Sequence, residues 1–121
     1  MSKKKRRTAK GRRSSRYKRR IYGRESNPAY GPFRKRIKER DDYKCQWPGC
    51  ASKKRLEVHH IKTWSKYPSL RLEMSNGITL CKICHARIKG QEESYEEFFI
   101  KLLEWQMLNR IKRFEEDNND E

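Results

Sequence analysis

Apolar side chains in this chain gather into short clusters between long polar stretches, and the spacing inside each cluster predicts an element. In FRKRIKERDD (33–42), Phe33 and Ile37 lie about one turn apart among basic residues, which predicts a short amphipathic helix. Pro32 stands where it can open that helix at its first position. RLEVHHI (55–61) reads as a strand, because Leu56, Val58 and His60 alternate with Glu57, His59 and Ile61. KTWSKYPSLRLEMSN (62–76) is a long loop, and NGITL (76–80) is a second short strand. CKICHARIK (81–89) then predicts a helix that Gly90 ends. A last, long helix is expected from Ser94 to about Phe114. Its stripe of Phe98, Leu102, Trp105, Leu108 and Ile111, flanked by Phe99 and Leu103, has helical spacing and is expected to pack into the core, with a dimer contact as the lesser alternative.

The chain has 121 residues, of which 33% are apolar and 40% charged, so one domain with a modest core is the expectation. At this size a metal or disulfides often supply the missing stability. Thirty-two Lys and Arg against 16 Asp and Glu give a net charge of 32 − 16 = +16, which points to a polyanionic partner, nucleic acid before an acidic membrane. Residues 1–24 hold thirteen Lys or Arg and no acid. Such a block cannot bury apolar surface and is expected to be a disordered tail that tracks phosphates, although a solubilising or targeting tail has the same composition. SNPAYGP (26–32) reads as a linker, and EEDNNDE (115–121) as a solvated acidic tail. The basic N-terminus has no apolar segment after it, so secretion is not indicated and a cytoplasmic location is expected. The longest apolar run, Phe98-Phe99-Ile100, is far too short for a membrane span.

Four cysteines therefore suggest metal rather than disulfides. Cys45 and Cys50 form a C-x4-C pair around the turn CQWPGC; thirty residues later Cys81 and Cys84 form a C-x2-C pair. Two such pairs can present four thiolates to a structural Zn²⁺ ion. His85 follows Cys84 directly, about 100° round the helix, and so points away from the thiolates. A Cys3His site using His85 would strand one cysteine.

The three histidines are the remaining scarce residues. His59 and His60 are adjacent; fifteen residues separate them from Asn76, and eight more separate Asn76 from His85. LEVHHI, NGITLCKICH and the framing cysteine pairs together resemble the HNH endonuclease family, and YPSLRLEMSNGITLCKICH after FRKRIKERDDYKCQWPGC resembles small free-standing phage members. The resemblance covers roughly residues 32–92, and every His and Cys of the chain falls on a position of its pattern.

The resemblance implies an α+β fold: a zinc-stabilised ββα-metal (His-Me finger) domain over residues 25–114, with core 32–92 and C-terminal helix 94–114. It implies metal-dependent hydrolysis of double-stranded DNA, in a homing or packaging-associated setting beside phage packaging proteins and in the host cytoplasm. It makes His60 the general base, His59 and His85 ligands of a catalytic Mg²⁺ or other divalent ion, and Asn76 the central Asn, either fixing the loop beside the base or reaching the metal. Cys45, Cys50, Cys81 and Cys84 would hold structural zinc. Colicin-type members carry a further histidine where this chain has Lys89. Glu92 stands where phage relatives often have an acid, but reads here as a surface carboxylate. Arg71 and Lys66 are either phosphate contacts or surface charge, and Trp64 and Tyr67 are expected to pack the loop onto the zinc subdomain, with stacking on bases as the alternative. The alternative function is a non-catalytic zinc module that binds nucleic acid.

Overall fold

The computed structural model describes residues 24–118; the basic tail expected over 1–24 thus lies, up to residue 23, outside the described residues. The chain divides into two compact units, one ending at Arg34 and one beginning at Lys35. A 3-10 turn at Arg24–Ser26 in the first precedes helix α1, Tyr30–Arg40, whose residues from Lys35 onward belong to the second. The helix begins two residues before Pro32 because Asn27 starts it: the Asn27 side chain accepts from the Ala29 N–H at 2.9 Å. Pro32 falls in the first turn, where its missing N–H costs nothing. Phe33 and Ile37 are both buried, as their spacing predicts.

The second unit holds strand β1, Leu56–His60, strand β2, Gly77–Cys81, helix α2, Lys82–Ile88, and helix α3, Glu96–Asn118, entered through a 3-10 turn at Glu92–Tyr95. The strands pair antiparallel, Leu56 opposite Cys81 and His60 opposite Gly77. Every residue of β2 is buried, so this strand is covered on both faces. Its outer edge is closed as well. The Thr79 N–H donates to the buried Asp41 carboxylate at 2.9 Å, and the Thr79 carbonyl accepts from the Gln46 N–H at 2.9 Å. Arg40 completes this brace, donating to the carbonyls of Met74 (2.6 Å) and Gly77 (2.7 Å) while its guanidinium meets Asp41 at 2.9 Å.

The core comprises Ile61, Ile78, Leu80, Ile88, Phe99 and three of the cysteines, with Trp47, Leu56, Tyr95, Leu102 and Leu103 packed around it. Helix α2 ends where expected, Gly90 taking the left-handed conformation with φ +83°. Helix α3 departs from expectation. Only Phe99 is fully buried, and the predicted stripe is largely exposed: Phe98 39%, Trp105 62%, Leu108 65% and Ile111 48%. The apolar residues of α3 surround its axis, so periodicity alone did not select the inward face; the ring cluster of Trp47, Tyr95 and Phe99 does. The helix also runs past Phe114 to Asn118, taking in the first residues of the expected acidic tail. Among the described residues no helix is long and apolar enough to cross a membrane.

Candidate functional site

The cysteine centre is built by two turns. CQWPGC folds back on itself, with Cys50 N–H donating to the Trp47 carbonyl at 3.0 Å and Gly49 at φ +83°, a conformation that favours glycine. The second pair sits at the junction of β2 and α2: Cys81 caps the helix, its sulfur accepting from the Cys84 N–H at 3.4 Å. The four Sγ atoms all lie within 4.8 Å of one another. Cys50 and Cys81 stand 3.8 Å apart, the edge of a tetrahedron of about 3.8 Å that Zn–S bonds of about 2.3 Å produce. The Cys84 N–H lowers the Cys81 thiol to about 7, whereas burial pushes Cys45 and Cys84 up. A cation among them reverses the effect of burial and stabilises all four as thiolates. The donor set and its spacing therefore fit a closed, zinc-like structural site.

On the face of β1 toward α2, Glu57, His59 and His85 come together. The His59 and His85 rings are 5.2 Å apart, centroid to centroid, at 65°. His59 is buried and rests on Phe99 at 5.2 Å. His85 is fixed from the strand: its Nδ1 meets the Glu57 carboxylate at 2.7 Å. A carboxylate only accepts, so Nδ1 carries a proton, and in the neutral ring the lone pair then lies on Nε2. Two imidazoles on one ion, with metal–nitrogen bonds of about 2.1 Å, place their centroids about 5 Å apart, so this pair fits a shared divalent cation. Among the described residues, the cysteines are the group of three or more possible ligands that converges on one point. Two imidazoles alone leave an ion with open positions. A cleft of about 350 Å³ opens beside His85, lined by Glu57, Lys82, Lys89 and Glu92. Glu92 is held below the usual carboxylate range by backbone N–H groups, its own and that of Gly90, and by the nearby histidines.

His60 is also buried but belongs to the other side of the strand. Its Nε2 donates to the Arg71 carbonyl at 2.9 Å, and its ring stands edge-on to Trp64 at 5.4 Å. Trp64 thus packs inside the loop, against His60 and under the Arg71 guanidinium (4.6 Å), rather than onto the zinc subdomain. Arg71 donates to the Trp64 carbonyl at 2.7 Å and holds the loop closed. Lys66 pairs with Glu93 on the surface, and Tyr67 lies under the Lys62 ammonium at 4.9 Å.

Asn76 holds the base of this loop. Its Oδ1 accepts from the Lys62 N–H at 2.7 Å, and its Nδ2 donates to the carbonyls of Lys62 (3.0 Å) and Leu70 (3.1 Å). Both amide protons and the carbonyl are engaged by backbone. Two contributors were not singled out as site residues from the sequence. Glu57 could have been found, since strand alternation puts it on the His59 face. The Arg40–Asp41 brace carries no local signal, its partners lying 34 to 38 residues away.

No curated protein and no solved structure matches the chain. Residues 44–91, which span both cysteine pairs, both strands, Asn76 and all three histidines, match the model of the HNH endonuclease family.

Proposed function

We propose that the protein is a metal-dependent endonuclease that hydrolyses phosphodiester bonds of double-stranded DNA, with His60 as the general base. The observation that carries this reading is the hydrogen bond from His60 Nε2 to the Arg71 carbonyl. A carbonyl can only accept, so it pins the proton on Nε2 and leaves the lone pair of the neutral ring on Nδ1. Nδ1 is buried in the structure, so the loop of residues 62–76 must admit the attacking water to it; Nδ1 would then take its proton, and the imidazolium that forms is stabilised by the carbonyl already in place. Asn76 acts one step back, tying Lys62 and Leu70 together so that the Arg71 carbonyl stays under the ring. His59 and His85 would hold the divalent ion, with Glu57 orienting His85. When bound, that ion supplies positive charge to the scissile phosphate and the departing 3′ oxygen. The cysteine centre holds the knuckle against the β2–α2 junction and so fixes the helix that bears His85.

The +16 charge of the chain supports phosphate contacts, with affinity that falls steeply as salt rises. The free-standing phage type, in a homing or packaging setting, is the setting the resemblance of residues 32–92 supports. The test is digestion of supercoiled plasmid by the full chain, with and without Mg²⁺, Mn²⁺, Ni²⁺ or Zn²⁺. The expected result is conversion to nicked or linear DNA that depends on the added ion and is lost in His59→Ala and His85→Ala. Tight DNA binding without cleavage under every ion would refute the enzymatic reading in favour of a binding module.

A further inference from the structure

Helix α3 presents a second apolar face that the fold covers only in part, Ile100 and Leu103 packing against the core and the residues of that face beyond them remaining exposed. Ile100, Leu103, Met107, Arg110 and Phe114 recur at 3-4-3-4 spacing and so share one side of the helix. Met107 is 57% exposed and Phe114 70% exposed. Beyond Asn109 every described residue of the helix is exposed. About 13 Å of helix therefore lies outside the core, with Arg110 and Arg113 still flanking a cleft beside Asp41 and Asp42 while Ile111 and Phe114 are exposed to solvent. Helical propensity alone supports an isolated segment of this length poorly. Beside the face lies a largely apolar groove of about 490 Å³, with Ile100, Leu103 and Met107 on the helix, Glu104 and Arg110 at its borders, and Arg40, Met74 and Ser75 completing the lining.

The order of residues on this face identifies what covers it. Counting outward from Met107, the i−3 and i+3 positions are Glu104 and Arg110, i−4 and i+4 are Leu103 and Ile111, and i−7 and i+7 are Ile100 and Phe114. A two-fold axis perpendicular to the helix at Met107 exchanges each pair. It sets acid against base, leucine against isoleucine, and isoleucine against phenylalanine. The face is complementary to itself run antiparallel, which is the requirement of an isologous interface. We infer that the protein forms a two-fold homodimer in which α3 crosses its own copy at Met107, with Glu104 of each chain against Arg110 of the other. The same operation carries the projecting Phe114 of one protomer toward Ile100 of its mate, at the mouth of the apolar groove. Both exposed features, the overhanging ring and the uncovered groove, are accounted for by one contact. Lys101 and Arg113, a like-charged pair at i∓6, point well off this face and do not meet.

Sedimentation equilibrium of the nucleic-acid-free full chain, over a range of protein concentrations, tests the inference. The parent, Glu104→Arg, Arg110→Glu and the double exchange are compared, with circular dichroism and bound zinc confirming that each is folded. A concentration-dependent dimer is expected. Each single reversal places two like-charged pairs in the interface and weakens it about tenfold or more. The double exchange restores the pairing and recovers dimerisation, a rescue that residues six apart on one helix cannot provide within a single chain. A parent that stays monomeric at all concentrations overturns the inference. So does a dimer indifferent to both single reversals, or a double exchange no tighter than the singles.

Discussion

Replacing Asn76 distinguishes a loop clamp from a metal ligand. The side chain is 5% exposed and makes three backbone hydrogen bonds, at 2.7, 3.0 and 3.1 Å. Asn76→Ala deletes all three and leaves one buried N–H and two carbonyls without this partner. At about 1 kcal/mol per net hydrogen bond the loss is roughly 3 kcal/mol, a large share of the 5–15 kcal/mol typical of a small domain. Urea unfolding with zinc in excess should therefore show a lower midpoint at unchanged slope. Cleavage should fall more than stability suggests, because Leu70 is released and the neighbouring Arg71 carbonyl no longer holds His60. A shift of about 1 Å there can cost roughly 100-fold in rate. Asn76→Asp gives the sharper contrast. It keeps an acceptor for Lys62 N–H but turns a carboxylate oxygen toward two carbonyls, so a clamp is damaged as badly as by Ala. A metal ligand would instead be improved by the added charge. An Asp variant that cuts at the parent rate, or an Ala variant within about 0.5 kcal/mol of the parent, would refute the clamp.

Three further outcomes follow from the same geometry. Stripping zinc with a chelator should unfold the second unit, since structural zinc contributes about 10–16 kcal/mol in comparable small peptides; Cys84→Ser should show the same loss of helical dichroism, and retention of the fold in both would contradict a structural site. Arg40→Ala should cost about 3–5 kcal/mol in denaturant midpoint, because it leaves the buried Asp41 carboxylate without its cation. Pairing Arg40→Met with Asp41→Asn should cost less than Arg40→Ala alone. Glu57→Gln touches a half-exposed carboxylate and should leave stability nearly unchanged, yet raise the Mn²⁺ concentration needed for half-maximal cleavage by about 10- to 100-fold.

The parts of the fold that were legible in the sequence are those written locally. Strand alternation around Val58, the turn chemistry at Gly49 and Gly90, and the two cysteine spacings each state their own geometry, and the structure has strands, turns and a four-sulfur cluster there. Helix α3 was legible in kind but not in orientation. Its apolar residues point nearly all round, so which of them is buried depends on partners elsewhere, and Phe99 is chosen by Trp47 and His59. The Arg40–Asp41 brace was invisible for a related reason. An Arg-Asp pair at a helix end looks like surface charge until β2 is folded against it. The pairing of His59 with His85 came from the family resemblance of LEVHHI and NGITLCKICH, and the structure sets the two rings 5.2 Å apart. That Glu57 holds His85 could have been read from its position two residues before His59.

The central claim is that His60 supplies the base, a role beyond its structural hydrogen bond to Arg71 and its packing on Trp64. The most direct measurement is the rate of metal-dependent plasmid cleavage by His60→Ala, assayed with zinc bound and well below its own melting temperature, because the variant also loses the contacts to Arg71 and Trp64. The account predicts cleavage reduced by at least about 100-fold, with DNA binding retained. A folded, zinc-loaded variant that cuts at the parent rate would contradict it.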